Sequence, residues 1–294
     1  MRVGILSGDF APTNIDSLFG KMQNLGFASA QLAFSSFIEI GFIPNGEIEI
    51  PEKIDAAIIA HIKKSAENHG IDIIACGGTF NMAHPDRRVR DEGLKRFKYL
   101  AESAGNLDCK IISLCTGSRN TGHLWRYHPD NNTPEAWADM IDTVKKAVEI
   151  AEKYNIVLAA ETEMANIVNS PEKAKKMMDE VNSPSLKMIM DCANLFPAGE
   201  AKKENVRRIV RSAFDIFGGD IVLAHGKDIS ESSESFESDG IKFCATGEGI
   251  IDYKQFAELL REYNYKSDMI LHGIFDESKM TRGIEVIRKS MGDS

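Results

Sequence analysis

The chain has 294 residues, of which 43% are hydrophobic and 27% are charged, and its formal net charge is −9 at pH 7. This composition is typical of an ordinary soluble globular protein. The acidic balance disfavours a nucleic-acid partner, because phosphate binding needs clustered Lys and Arg. The apolar run at the N-terminus is too short for a secretory signal, and no apolar run approaches the roughly 20 residues of a membrane span. We therefore expect a cytoplasmic protein without a membrane partner.

The five cysteines are scattered and lack any C-x-x-C spacing, so reduced thiols are expected rather than a metal or disulfide framework. Cys76, Cys115 and Cys192 lie at or just after predicted strand ends. A packing role is expected for them, and lining of a pocket is the alternative.

The first half of the chain alternates short apolar runs with amphipathic segments. Residues 3–6 predict a strand, and apolar residues at three- and four-residue spacing predict a helix over 12–25. A second predicted strand, 27–34, carries the unexpected polar residue Gln31. A long apolar-rich loop, 35–49, follows it. The next predicted elements are a helix over 51–68 with Pro51 at its start, a strand over 71–76, a helix over 87–104 and a strand over 110–115.

A polar and aromatic loop containing Trp125 opens the second half. Thr133-Pro134 and Ser170-Pro171 each combine an N-cap residue with Pro at the first helical position, and they predict helices over 134–154 and 171–181. The remaining predicted strands are 156–161, 188–191, 221–225 and 269–272, and the remaining helices are 202–217, 252–263 and 277–291.

These elements make eight strand–helix units, with no composition shift or low-complexity linker between any two. Strict alternation implies a parallel sheet, and eight repeats favour a closed barrel over an open doubly wound sheet. We therefore predict an α/β fold, a (β/α)8 TIM barrel that forms a single domain over residues 1–294. The loop at 35–49 would cover one barrel end. Functional groups of such barrels gather at the C-terminal ends of the strands.

Four predicted strands end on a side chain that can bind a metal ion, namely Glu161, Asp191, His225 and His272. Nothing within the apolar run before Glu161 explains its carboxylate, which needs a partner if it is buried. The four tips are 30, 34 and 47 residues apart, which matches successive barrel units rather than a local motif. Two carboxylates and two imidazoles suit a divalent transition metal and are poor for Ca²⁺. We predict that they bind one metal ion, Mn²⁺ first, with Co²⁺, Fe²⁺, Zn²⁺ or Mg²⁺ as alternatives; structural caps and core histidines are the alternative roles.

Several motifs occur at these tips and in the loops after them. They are Leu158-Ala159-Ala160-Glu161, Met190-Asp191-Cys192-Ala193-Asn194, Ala224-His225-Gly226-Lys227-Asp228 and Thr246-Gly247-Glu248-Gly249-Ile250-Ile251-Asp252-Tyr253. With them the chain resembles the xylose-isomerase-like TIM barrel superfamily, in particular its sugar phosphate isomerase/epimerase branch, over nearly its whole length. Asn81-x-x-His84-Pro85 and Thr116-Gly117-Ser118-Arg119 are similar to loops of that family.

The resemblance implies that Glu161, Asp191 and His225 hold the metal, with a fourth ligand from the eighth strand. The family usually has Glu at that fourth position, and this chain has His272. The implied chemistry is proton abstraction next to a carbonyl through a metal-stabilised enediolate. Glu161 is the first candidate for the base and His272 the second, while Lys227 would stabilise the oxyanion or bind a substrate hydroxyl or phosphate.

Four residues are predicted to contact the substrate. Trp125 is placed to stack on a sugar ring, although a Trp in a long loop also serves to cover an apolar edge. Asn194 stands where the branch often has His, and the motifs that resemble the family supply His84 and Glu248.

The predicted function is that of a sugar or polyol-ketone isomerase or epimerase. A lyase or dehydratase acting on a 3-oxo sugar or inosose is the alternative, because elimination needs only one strong acid/base partner. A non-catalytic sugar-binding barrel is a further alternative. A DNA-repair endonuclease of the same superfamily would need more His and Glu ligands and a basic groove. The expected partner is a small-molecule carbohydrate, and the apolar helix faces leave room for a homo-oligomer.

Overall fold

The computed structural model describes residues 1–37, 48–232 and 242–292. Its strands, in chain order, are β1 (Val3–Leu6), β2 (Ser29–Leu32), β3 (Asp72–Gly77), β4 (Ile111–Cys115), β5 (Val157–Glu161), β6 (Leu186–Asp191), β7 (Ile221–Gly226), β8 (Asp228–Ile229), β9 (Phe243–Cys244) and β10 (Met269–Leu271). Strands β1 to β7 and β10 form a closed parallel barrel, in which β10 pairs with both β1 and β7. The short strands β8 and β9 form a separate antiparallel pair. The predicted TIM barrel is confirmed.

Eight α-helices occur within the described ranges: α1 (Ile15–Leu25), α2 (Ala56–His69), α3 (Arg87–Asn106), α4 (Pro134–Lys153), α5 (Pro171–Val181), α6 (Lys203–Phe217), α7 (Tyr253–Glu262) and α8 (Glu277–Ser290). Both predicted proline-containing caps form, with the Thr133 and Ser170 hydroxyls accepting the N–H groups of Ala136 and Lys173. The predicted start of α2 at Pro51 is wrong. That helix begins at Ala56, because the Asp55 carboxylate caps it by accepting the N–H of Ala57 at 2.7 Å.

One layer of the barrel interior explains why the strand tips converge. Its members are fully buried: Ala75, Ala159, Ile189, Leu223 and Ile270. Side chains alternate between the two faces of a strand, so the residue two positions further on faces the same way. The residues two positions after the last four of these are Glu161, Asp191, His225 and His272. All four therefore point into the mouth of the barrel, above a closed apolar floor.

The outer core lies between the strands and the helices. Its large buried side chains include Phe19, Phe80, Phe97, Phe214 and Phe256. Burial of each contributes on the order of 1.5 to 3 kcal/mol, so the barrel does not depend on the polar mouth for its stability. No helix in the described ranges is long and apolar enough to cross a membrane. The covering role predicted for the loop at 35–49 falls mainly on residues 38–47, which lie outside the described residues.

Candidate active site

Glu161, Asp191 and His225 form a buried cluster at the C-terminal ends of β5, β6 and β7. One ligand atom from each lies within 4.8 Å of the other two. His225 Nδ1 is 3.4 Å from Glu161 Oε1 and 3.5 Å from Asp191 Oδ2. Asp191 and His225 are almost completely buried, whereas Glu161 keeps 8% of its surface exposed and lines a cavity. The three side chains are therefore arranged around one point, and Glu161 and His225 also line the cavity above it.

Two atoms of this cluster have no hydrogen-bond partner although both are buried, namely Asp191 Oδ2 and His225 Nδ1. Such orphaned polar atoms are rare, since each forfeits the hydration that it had in water. Coordination of one cation would satisfy both. Two carboxylates and an imidazole are a donor set that divalent transition metals accept. The residues present therefore fit a metal ion.

The orientation of His225 is set by Gln31, the unexpected polar residue of β2. Gln31 Nε2 donates a hydrogen bond to Ser113 Oγ at 3.0 Å, so its Oε1 accepts from His225 Nε2 at 2.9 Å. In the neutral imidazole, this leaves the Nδ1 lone pair directed at Glu161 and Asp191. An outer hydrogen bond that fixes the tautomer is the usual support of a metal-binding histidine.

The electrostatics of the cluster favour its charged forms. Burial opposes a charged His225, but the Glu161 and Asp191 carboxylates outweigh burial and raise the pKa of His225 to about 9. Burial also opposes ionisation of Asp191, yet Lys227 and His225 hold the pKa of its carboxyl well below the usual range. A proton and a metal ion therefore compete for the same imidazole nitrogen.

Asn194 and Lys227 connect to the cluster from one side. Asn194 Nδ2 donates to Glu161 Oε1 at 2.9 Å, and Lys227 Nζ donates to Asn194 Oδ1 at 3.1 Å. Lys227 Nζ also lies 3.9 Å from Asp191 Oδ2 and 3.8 Å from the centroid of the Phe243 ring. Burial lowers the pKa of Lys227, but the neighbouring carboxylates outweigh it and raise that pKa above its ordinary value. The predicted substrate residue Asn194 thus holds Glu161 in place as well.

His272 lies beside the cluster, on the far side of His225. Its ring meets that of His225 edge-on, with 5.3 Å between centroids. Its Nδ1 is 3.4 Å from Asp9 Oδ1. Among the described residues, His272 does not belong to the group within 4.8 Å. Metal ligation by His272 stays a prediction, and Asp9 joins the site as a residue that the sequence did not indicate.

A cavity of about 520 Å³ opens above the cluster. Six residues that were predicted for the site line it, namely Trp125, Glu161, Asn194, His225, Lys227 and His272. Trp125 Nε1 donates to Glu49 Oε1 at 2.9 Å, which holds the indole at the wall. Of the three strand-end cysteines only Cys115 reaches the cavity, while Cys76 and Cys192 are buried. Sequence reasoning missed several lining residues: Asp9, Gln31, Glu49, Glu163, Phe243 and Phe275.

His84 and Glu248 lie elsewhere. His84 Nδ1 accepts the N–H of Asp86 at 3.0 Å, and Glu248 pairs with Lys279 at 2.8 Å. Neither lines the cavity. The structure therefore does not place His84 and Glu248 at the cavity, where the other two predicted substrate residues, Trp125 and Asn194, lie.

The glycine-rich motif after β7 closes around Asp228. The Asp228 carboxylate accepts the N–H groups of Ile229 at 2.9 Å, Gly247 at 2.9 Å, Gly249 at 3.1 Å and Ile251 at 3.1 Å. A Cβ at position 249 would lie 2.2 Å from Asp228 Oδ1, so only glycine fits there. The motif is thus a folded unit whose backbone donors are already used.

A parallel barrel with a metal-compatible cluster at the C-terminal ends of its strands defines the class of this protein. The model of the family described as xylose isomerase-like TIM barrel matches residues 24–291, and the chain belongs to that family.

Two curated relatives and one solved structure illustrate its similarities. An inosose dehydratase from Glaesserella parasuis is 21% identical over 72% of this chain and 73% of that protein. An L-ribulose-5-phosphate 3-epimerase, UlaE, from Escherichia coli is 26% identical over 63% of this chain. The match spans 57% of the epimerase, less than two thirds of its length. The crystal structure of an IOLI protein with a bound zinc atom superposes with a TM-score of 0.72 at 16% identity, covering 100% of this chain and 97% of that one.

Proposed function

We propose that this protein is a metal-dependent isomerase or epimerase that moves a proton next to the carbonyl of a sugar or polyol ketone. The observation that carries the proposal is the position of Glu161, whose carboxylate belongs to the buried cluster and also lines the cavity. A group so placed can touch both a bound cation and a substrate carbon. The relatives named as an epimerase and an inosose dehydratase support the same class of chemistry.

Glu161, Asp191 and His225 would hold the metal. When bound there, a divalent ion polarises a carbonyl and an adjacent hydroxyl of the substrate. Zinc is present in the similar IOLI structure, and Mn²⁺ remains the ion that we favour for this chain.

Each proton and charge in the reaction has a residue to receive it. Glu161 removes the proton from the carbon next to the carbonyl, and the electron pair of that C–H bond moves toward the carbonyl oxygen to form an enediolate. Lys227 is linked to Glu161 through Asn194, and its raised pKa keeps it protonated. It donates a hydrogen bond to the oxygen that gains charge. His272, anchored by Asp9 from the neighbouring strand β1, returns a proton from the β10 side of the site.

The second candidate is a lyase or dehydratase, and the residue at the end of β10 favours it. The resemblance to the family predicts a second glutamate at the end of β10, and this chain has the imidazole of His272 there. In such an elimination, the leaving group departs from the carbon next to the one that loses its proton. The reaction needs one strong base, which Glu161 supplies.

Exchange of solvent deuterium into a panel of ketoses and inososes tests the proposal. We expect the metal-loaded protein to incorporate deuterium next to the carbonyl, and the Glu161→Gln variant to lose at least about 100-fold in that rate. Glu258→Gln, which removes a carboxylate from the exposed face of α7, is the matched control. Release of water or another leaving group would select the lyase. Metal binding without exchange into any carbohydrate would overturn the proposal and favour a non-catalytic sugar-binding barrel.

A further inference from the structure

The charges around the cavity distinguish two classes of substrate. Four carboxylates line it, those of Asp9, Glu49, Glu161 and Glu163, and a fifth, Asp191, lies beneath them. Lys227 is the one lysine or arginine among the lining residues in the described part of the chain. A phosphate monoester carries a charge near −2 at neutral pH and would meet one cationic side chain among these carboxyl groups.

Lys227 is already committed to the protein. It donates to Asn194, lies 3.9 Å from the Asp191 carboxylate and packs 3.8 Å from the Phe243 ring centroid. Its side chain is 9% exposed, so it faces the reacting end of the cavity rather than the solvent. The proposed divalent ion would offset the Glu161 and Asp191 carboxylates that hold it. Lys227 can stabilise a developing oxyanion, and no second lysine or arginine lines the described part of the cavity to pair with a phosphate dianion.

The place where barrels of this architecture commonly bind phosphate is also filled. Phosphate sites in TIM barrels frequently use backbone N–H groups in the loops after strands seven and eight. Here the N–H groups of Gly247, Gly249 and Ile251, in the loop after β7, all donate to the Asp228 carboxylate. An internal anion therefore occupies the nest that an external phosphate would need.

The two internal stretches outside the described residues bring no compensating charge in their sequence. Residues 38–47 and 233–241 contain no Lys or Arg. Their charged residues are all acidic: Glu39, Glu47, Glu234, Glu237 and Asp239.

Two of the lining carboxylates have no part in the proposed metal cluster and suit the recognition of hydroxyl groups. Glu49 Oε1 accepts the Trp125 indole N–H at 2.9 Å. Within residues 1–37, 48–232 and 242–292, no side chain donates to its other oxygen, and Glu49 lines the cavity. Glu163 follows Glu161 by two residues and lines the same cavity. Burial raises the pKa of both the Glu49 and the Glu163 carboxyl. A carboxyl group in either protonation state hydrogen-bonds an uncharged hydroxyl, and in neither state does it give a phosphate a positive partner.

From these observations we infer that the substrate is an uncharged ketose or polyol ketone rather than a sugar phosphate, and that Glu49 and Glu163 bind its hydroxyls. The inference rests on the proposed function for the site. It separates this chain from the relative that is named for a phosphorylated pentulose.

The test compares L-ribulose with L-ribulose 5-phosphate, and D-fructose with D-fructose 6-phosphate, by deuterium exchange on the metal-loaded protein. We expect kcat/KM to be at least about 100-fold higher for the free sugar of at least one pair. Glu49→Gln and Glu163→Gln should each raise KM for that sugar about tenfold. Each variant should also lower the ratio of kcat/KM for the free sugar to kcat/KM for its phosphate. Glu258→Gln should change neither that KM nor that ratio. A phosphorylated sugar that reacts as well as or better than its free form would overturn the inference while the proposed function stood.

Calorimetry with ribitol and ribitol 5-phosphate keeps the two proposals separate. If no sugar exchanges deuterium, the proposed function fails, and the binding comparison still decides the charge preference of the cavity. Tighter binding of ribitol supports an uncharged ligand. Tighter binding of ribitol 5-phosphate, or unchanged ribitol affinity in both Glu→Gln variants, contradicts it.

Discussion

Asp9 and His272 meet at the mouth of the barrel, just after the neighbouring strands β1 and β10, with 3.4 Å between Asp9 Oδ1 and His272 Nδ1. The other oxygen of Asp9 accepts the N–H of Ile274 at 2.9 Å, so the carboxylate is fixed to the loop after β10. The resemblance to the family predicts a glutamate at the end of β10, where this chain has His272. An imidazole anchored in this way can carry a proton. Its position beside the metal cluster also suits a metal ligand.

The variant His272→Gln separates these two roles. If His272 is a proton carrier, the exchange rate should fall about 100-fold or more while the affinity for Mn²⁺ changes less than about threefold. Asp9→Asn should lower kcat about tenfold with KM nearly unchanged, because the ring keeps its nitrogen but loses its anchor. A drop of 10-fold or more in metal affinity for His272→Gln, measured by chelator competition, would instead identify a metal ligand.

Replacing Gln31 should weaken the metal site without touching it directly. In Gln31→Leu the His225 ring loses the acceptor for its Nε2 hydrogen, so we expect metal affinity to fall 10- to 100-fold. Titration with a competing chelator measures this. Gln23→Leu, at an exposed position of α1, is the control and should keep wild-type affinity. Equal affinities for Gln31→Leu and wild type would show that Gln31 does not orient the ring.

Metal affinity should depend on pH through His225. Its pKa is about 9, so below pH 9 a metal ion must displace a proton from the ring. We expect affinity to rise about tenfold per pH unit between pH 7 and 9 and then to level off. The raised pKa also stabilises the metal-free protein at pH values below the ordinary 6.5, and this stabilisation is lost as pH rises through 9. Thermal unfolding of the metal-free protein should therefore show a falling Tm over that window, and a rising Tm would contradict the assignment.

Asp228→Asn should destabilise the fold rather than the chemistry. An amide presents one oxygen to the four N–H groups that the carboxylate accepts, and its NH₂ faces the other donors. Two buried N–H groups left unsatisfied cost on the order of 3 kcal/mol. Urea unfolding measures this loss. Asp179→Asn, which breaks an exposed pair with Lys175 on α5, should cost less than about 0.5 kcal/mol.

The sequence by itself determined the barrel and three members of its candidate metal centre. Eight apolar runs alternate with eight amphipathic segments, and that pattern predicts a closed parallel sheet. The sequence identifies Glu161, Asp191 and His225 because each lies at the end of a strand-like apolar run. In the structure, each follows a buried interior residue by two positions. Strand periodicity and barrel topology are local and repetitive properties, so a linear pattern of residues carries them.

Only the tertiary structure decided which other side chains complete the site. Gln31 and His225 are 194 residues apart in sequence, and Asp9 and His272 are 263 apart. Glu49 and Glu163 reach the cavity, while His84 and Glu248 are held by Asp86 and Lys279 away from it. Loop residues take their positions from such long-range contacts, and no spacing in the sequence encodes them.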